Sequence, residues 1–207
     1  MLPDFKLNSK LNTTKQFLKH GIHDFKTAIS FVEGLPYAKN SDEDINLVLE
    51  EKCGTSRTKH ALIVQLAHEN EHSDIKLALG FYELDFAVHN SVEQYLGSLR
   101  IRSIPESASY ILYNNKRIDI SGLNKIINLP LQEMNSEMII LPNQIKDFIN
   151  HFHRFYMINW LRENNLSGKL SVDDLWKVRG NFKSNLMDLL NYNTKKIADK
   201  FNKTTLN

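Results

Sequence analysis

The apolar positions of this chain change their spacing from one segment to the next, and the spacing predicts the elements. Between residues 55 and 70 they fall three and four residues apart, as on one side of a helix. Thr55 or Ser56 supplies the N-cap of this helix, which should run to about Asn70. Its apolar residues are Leu62, Ile63, Leu66 and Ala67.

Helical spacing also predicts helices on both sides of this segment. The expected positions are 25–32, 42–49, an insert within 85–103, a long helix that begins at Pro142 and a last helix that begins at Ser171. We expect a single domain over 1–207, with a core over 24–122, a C-terminal helical part over 142–191 and a flexible tail over 195–207.

Strands are expected where short apolar runs lie between turn residues. Ile75 to Leu84 is such a run and is typical of a buried strand, and a further short strand is expected at 138–141. Residues 107–113 and 116–121 should form a hairpin, because the intervening pair Asn114-Asn115 tolerates the positive φ of a two-residue turn.

The hairpin also fixes an expected register. If Asn114 and Asn115 form the turn, Tyr110 lies opposite Asp119, and side-chain alternation places Ala108 on the same face as Asp119. Position 108 is then the diagonal neighbour of Asp119, at roughly 7–8 Å between backbones, a separation that an imidazole at 108 would span.

The helix start at Gly54-Thr55-Ser56-Arg57-Thr58-Lys59-His60-Ala61-Leu62 resembles that of the transglutaminase-like superfamily of papain-type cysteine enzymes. It is most similar to small bacterial members that begin this helix with Gly-Thr-Cys-Ser-x-Lys-His-Ala-Leu. Segments similar to those of the family occur in the same order on both sides of it: 34–40 precedes this helix, and 77–82, 104–111 and 116–120 follow it. The resemblance spans residues 24–122 and implies an α+β fold in which a helix packs on an antiparallel sheet.

The resemblance also implies a set of site residues. It places the family's nucleophilic cysteine on Ser56, its general-base histidine on Ala108 and its orienting aspartate on Asp119. Thr55 and His60 become supporting candidates, for an oxyanion or for the site's geometry. A thiol at a helix N-terminus ionises readily, whereas a serine hydroxyl needs a base beside it.

Because two of the three positions are altered, the resemblance implies a catalytically degenerate protein, a pseudoenzyme. We expect it to bind a peptide-like or amide ligand, or a partner protein, in the former active-site cleft. The alternative is an acyl-transfer or hydrolytic enzyme that uses Ser56 with His60, or that uses Cys53.

A weaker alternative is a zinc hydrolase. His68-Glu69-Asn70-Glu71-His72 matches the H-E-x-x-H pattern, in which two histidines one helical turn apart bind Zn²⁺. A strand is expected soon after His72, so that histidine would lie at the fraying end of the helix. We therefore expect a solvated helix end, no metal site and no cofactor.

The composition of the chain argues against several other classes of protein. The chain has 26 basic and 24 acidic residues in 207, mixed along its length, which gives none of the concentrated charge of a nucleic-acid binder. One cysteine forms no internal disulfide, and no leader-like segment or membrane-length apolar run is present, so we expect a cytoplasmic protein without membrane contact. The sequence carries no information on oligomeric state.

Overall fold

A computed structural model describes residues 1–125 and 127–186, and it has the expected α+β architecture. The described strands form one antiparallel sheet of order β3-β2-β1-β4. They are β1 (Lys76–Leu84), β2 (Ile104–Tyr113), β3 (Lys116–Ile118) and β4 (Ser136–Ile140). The described α-helices are α1 (Asn12–Lys19), α2 (Phe25–Gly34), α3 (Leu47–Glu50), α4 (Ser56–Glu69), α5 (Glu93–Leu96), α6 (Asp147–Glu163) and α7 (172–186).

The central strand β1 divides the interior into two cores. Its side chains alternate, so that Leu77, Leu79 and Phe81 pack with α4 on one face of the sheet. Ala78 and Tyr82 lie on the other face, which α7 covers. The residues of α7 in this second core are Leu175, Val178, Phe182 and Leu186. Both faces are covered, which explains why β1 is apolar along nearly its whole length.

Helix α4 begins and ends where the sequence predicts. The Thr55 hydroxyl accepts a hydrogen bond from the Thr58 N–H, and the Thr58 hydroxyl accepts one from the Thr55 N–H, which is a capping box. Asn70 is the C-cap. Nearly every side chain of α4 is buried, so the helix N-terminus is held in a fixed position at the edge of the sheet.

The predicted hairpin is confirmed, except at its outer end. Tyr113 pairs with Lys116, and Asn114 and Asn115 have φ of 48° and 58°. However, β3 ends at Ile118, so Asp119 is outside the ladder. The shared face expected for Asp119 and Ala108 is therefore wrong: the Asp119 carboxylate turns towards α4.

Other elements differ from the expectation mainly in length. Only Leu47–Glu50 is helical within 42–50, and the insert over 85–103 consists of short 3₁₀ turns around α5. Pro142 opens a 3₁₀ turn, and the long helix α6 begins at Asp147. The tail expected over 195–207 and the end of the range 142–191 lie outside the described residues. Of the helices described, none is long and apolar enough to cross a membrane.

Glu69, near the end of α4, caps α1. Its carboxylate accepts hydrogen bonds from the N–H of Thr13 at 3.1 Å, the N–H of Thr14 at 2.7 Å and the Thr14 hydroxyl at 2.9 Å. The N-cap residue of α1, Leu11, has no side chain able to do this. Burial alone would raise the pKa of Glu69, but the bonds from Thr14 and Thr13 outweigh it and lower the pKa below its usual value.

Glu69→Gln should therefore destabilise the fold by about 1–3 kcal/mol, the range for a hydrogen bond to a buried charged group. Since the folded-state pKa is depressed, this contribution is present above the carboxylate's unfolded pKa and is lost as the pH falls through the folded value. Denaturant unfolding at neutral and acidic pH measures both effects. Glu33→Gln, on the exposed surface of α2, is the control and should leave stability unchanged. An equal loss in both variants would contradict the capping role.

Candidate functional site

A cavity of about 640 Å³ lies where the N-terminus of α4 meets β2 and α7. Cavities of this volume accommodate small ligands. Each of the three elements supplies polar or charged side chains to its wall. Those used below are Ser56, Arg57, Glu106, Ser107, Arg179 and Lys183.

The cavity follows the edge of β2. Successive side chains of a strand point to opposite faces, yet Glu106, Ser107 and Ala108 all line the cavity, so it meets the strand from the side. In the described part of the chain, β3 pairs only with Ile111–Tyr113 of β2. The cavity therefore lies beside the stretch of β2 that β3 leaves uncovered.

Two of the three family positions meet at this cavity. Ser56 is the first residue of α4 and Ala108 lies on β2, and both line the cavity. Thr55 lines it as well, although its hydroxyl is used in the capping box. Asp119 and His60 are buried elsewhere, outside the cavity wall.

His60 is held by groups other than the Ser56 hydroxyl. Its Nδ1 lies 2.6 Å from the Ser56 carbonyl oxygen and must donate, because a carbonyl only accepts. Its Nε2 lies 2.9 Å from the Ile120 N–H and 3.2 Å from Asp119 Oδ1. Both ring nitrogens are thus engaged, and the ring is fully buried. This geometry gives no support to a Ser56–His60 dyad.

Asp119 is ionised in this arrangement. Burial would raise the pKa of its carboxyl, but the contact with His60 and two hydrogen bonds from Ser121 outweigh burial and lower the pKa to about 2. The carboxylate side chain is 1% exposed. Asp119 therefore fixes His60 and the loop after β3.

Tyr37 is adjacent to Ser56. Tyr37 forms a parallel bridge with Gly54, in which the Gly54 N–H donates to the Pro36 carbonyl and the Ala38 N–H donates to the Gly54 carbonyl, each at 3.2 Å. Burial raises the pKa of the Tyr37 hydroxyl, and polar interactions with the Ser56 hydroxyl and N–H offset part of that rise. The polar neighbour of Ser56 at the helix end is therefore a neutral phenol, which is no base.

The sequence analysis missed the strongest electrostatic feature of the cavity. Glu106, 2% exposed, accepts a hydrogen bond at Oε1 from Arg179 Nε at 3.0 Å. The same nitrogen lies 2.9 Å from Oε2, and Lys183 Nζ lies 3.3 Å from Oε1. Burial opposes ionisation of Glu106, but Arg179 and Lys183 outweigh burial and hold its pKa far below the usual range. The sequence does contain a signal for this cluster: a carboxylate within an apolar strand, and a cation between Val178 and Phe182.

A further cation, Arg57, enters the cavity wall from α4. Its Nη1 donates to Glu43 at 3.1 Å and to Asn150 at 3.0 Å, and its side chain is 12% exposed. Burial lowers the pKa of Arg57, and the positive charge of Arg179 lowers it further. Burial and the charge of Arg179 thus both act against the positive charge of Arg57 in the cavity wall.

Ser107 and His153 form a pair that sequence reasoning also missed. The Ser107 hydroxyl lies 3.1 Å from His153 Nδ1, while His153 Nε2 lies 2.9 Å from the Pro105 carbonyl oxygen. Nε2 therefore carries the proton and Nδ1 accepts from Ser107. Burial lowers the pKa of His153 to about 3, with Glu106 opposing that shift and Arg179 adding to it. So weak a base is poorly suited to activate a serine near neutral pH.

Cys53 lies before the helix, and its thiol is partly buried. Its Sγ is 3.6 Å from Asn40 Nδ2. Burial raises the pKa of Cys53, the charge of Glu51 raises it further and Lys59 opposes both. This direction is opposite to the one that a thiolate nucleophile requires.

Alkylation of Cys53 by iodoacetamide should therefore be slow and strongly pH-dependent. Since only the thiolate reacts, the rate should rise about 100-fold between about pH 6 and pH 8. Mass spectrometry of the labelled protein over time gives the rate at each pH. A rate nearly equal at the two values would reveal a stabilised thiolate and contradict this expectation.

The histidines of the H-E-x-x-H pattern point to separate places. His68 Nε2 lies 2.8 Å from the Ile75 carbonyl oxygen, whereas His72 follows the end of α4 and stacks on Phe5 with ring centroids 3.7 Å apart. Glu69 between them caps α1. Within 1–125 and 127–186, no group of three or more metal-ligating side chains is positioned to hold an ion.

Comparisons of this chain with protein-family models, with curated proteins and with solved structures find no match. The resemblance to the transglutaminase-like superfamily thus depends on the motif residues alone. Two features of the structure are relevant to this resemblance. Ser56 lies at the start of α4, and Ala108 lines the same cavity as Ser56.

Proposed function

We propose that this protein is a catalytically degenerate member of the transglutaminase-like superfamily that binds a peptide-like or amide-bearing segment, free or within a partner protein, and does not turn it over. The supporting observation is that Ser56 and Ala108, the positions of the family's nucleophile and base, line one cavity. Among the described residues, no imidazole is hydrogen-bonded to the Ser56 hydroxyl.

The edge of β2 indicates how such a segment binds. An extended peptide recognises a sheet edge through its main-chain groups and places alternate side chains in pockets. The cavity lies along residues 106–108 of β2, beyond the part that β3 covers. A peptide there passes the N-terminus of α4, as a substrate does in a papain-type cleft.

An enzyme that uses Ser56 with His60, or Cys53, remains the second candidate from the sequence. No contact in the described structure favours it, because His60 Nδ1 faces the Ser56 carbonyl oxygen and the pKa of Cys53 is raised. The same experiment separates the two candidates.

The test uses the capped tripeptide acetyl-Ala-Gln-Ala-amide and NMR spectra of the labelled protein. We expect shifts of the backbone signals of Ser56, Arg57 and Ser107, with no ammonia released and no covalent adduct. Ala108→Leu, which fills the cavity wall, should abolish the shifts, whereas Ala87→Leu on an exposed loop should retain them. Ammonia or an acyl adduct would instead support the enzyme, and the absence of any shift would contradict peptide binding.

A further inference from the structure

The cavity wall carries more positive than negative charge. Glu43 pairs with Arg57, whereas Glu106 is shared by two cations, Arg179 and Lys183. His153, with its pKa lowered to about 3, is neutral near pH 7 and adds no charge. With Lys39, which is exposed and also lines the cavity, the wall holds four basic residues, Lys39, Arg57, Arg179 and Lys183, against the carboxylates of Glu43 and Glu106, so positive charge is in excess beside the cavity.

Donors of both arginines remain available in this wall. Arg179 bonds Glu106 through Nε, and Arg57 bonds Glu43 and Asn150 through Nη1. A guanidinium has three nitrogens and five N–H groups, so each arginine has further donors beyond these contacts with described residues. Trp176 holds Arg179 in place, with the guanidinium carbon 4.7 Å from the ring centroid.

The cations of the cavity wall repel one another. Burial lowers the pKa of Lys183 to about 7, the charge of Arg179 adds to this shift, and Glu106 opposes it. The Lys183 side chain is nevertheless 42% exposed as a whole, so part of it is accessible from solvent. An anion beside these cations would offset their repulsion without removing Glu106 from its ion pairs.

We propose that the cavity takes a ligand through a carboxylate group, which is placed between Lys183, Arg179 and Arg57. This inference depends on the proposed function, because it names the group by which the peptide-like ligand is anchored. The excess of positive charge in the wall favours an anion, and a carboxylate is the anionic group that a peptide itself carries at its C-terminus. Arginine also binds the planar carboxylate with two parallel hydrogen bonds.

The test compares acetyl-Ala-Gln-Ala as its free acid and as its amide, with Trp176 fluorescence as the readout. The free acid should bind about tenfold more tightly, an effect of one charge-assisted contact. Lys183→Gln and Arg57→Gln should each reduce that preference to about twofold or less. The control is Arg154→Gln: Arg154 also lies over Trp176, at 5.3 Å, but pairs with exposed Asp173 and should leave the preference unchanged.

The preference for the free acid over the amide should also depend on pH, because the charge of Lys183 does. The groups facing its ammonium are Glu106 from β2, Arg57 from α4 and Arg179 from its own helix. Glu106 and both arginines keep their charge near neutrality, so Lys183 alone titrates as the pH rises through about 7. The preference should fall across this range, and Lys183→Gln should remove the pH dependence.

The outcomes separate the two proposals. If acid and amide bind equally, the peptide cleft stands and the carboxylate site is wrong. If neither binds, the peptide-binding function itself is contradicted. Inorganic phosphate that competes with the amide and binds more tightly than the free acid would overturn the choice of a carboxylate. Circular dichroism of each variant shows whether its fold is intact, and Lys183→Gln changes only a partly exposed side chain.

Discussion

His60→Ala should lower the free energy of unfolding by about 2–5 kcal/mol, the loss expected when two buried polar groups lose their hydrogen-bond partner. The substitution deletes the donor to the Ser56 carbonyl and the group facing the Ile120 N–H. It also leaves the Asp119 carboxylate, 1% exposed, without its imidazole neighbour. Denaturant unfolding at neutral pH measures the loss. His151→Ala, on the exposed surface of α6, is the matched control and should change stability little.

The pH dependence of unfolding provides a second measurement of the same pair. Because the folded-state pKa of Asp119 is lowered to about 2, its contribution is complete above its unfolded value and is lost as the pH falls towards 2. A shift from the usual value to about 2 corresponds to about 2–3 kcal/mol. His60→Ala should show a smaller loss over this acidic range. A stable His60→Ala variant would mean that the ring is free for another role.

The local features of the site were predictable from the sequence. The cap at Thr55 or Ser56, the helix that follows and the Asn114-Asn115 turn depend on residues close in sequence, and the structure confirms all three, with Thr55 as the cap. Asp119 was misplaced because the register argument assumed that β3 continues. The strand ends at Ile118, and the buried His60 provides a partner for the carboxylate on the other side.

The charged wall of the cavity depends on contacts that are distant in sequence. Arg179 and Lys183 reach Glu106 across about seventy residues, and only the packing of α7 on the sheet brings them together. Spacing within α7 predicts an apolar stripe but does not identify the strand that the stripe covers. Two residues did break the local pattern, Glu106 in an apolar strand and Arg179 beside that stripe. Such exceptions are the sequence signal for a buried ion pair.

The largest expected change in reactivity comes from introducing a nucleophile and a base at the two positions that the resemblance indicates. In a Cys53→Ser background, Ser56→Cys places a thiol at the N-terminus of α4, near Arg57. The helix end and the nearby cations should lower its pKa moderately. Adding Ala108→His should produce a thiolate–imidazolium pair. Iodoacetamide labelling near pH 6 should then be about 100-fold faster than for an ordinary thiol, which is almost wholly protonated there.

Two further variants test the geometry of the introduced pair. Ser109→His carries the imidazole on the α4 side of β2, where residue 109 is 1% exposed, and should label no faster than Ser56→Cys alone. Asp119→Ala should destabilise the double variant but leave its labelling rate nearly unchanged, because the Asp119 carboxylate contacts His60. A large drop in rate would show that Asp119 turns to position 108, as the resemblance implies. A folded double variant that labels no faster than Ser56→Cys would refute the assignment of Ser56 and Ala108, since their shared cavity wall is what should bring thiol and imidazole together.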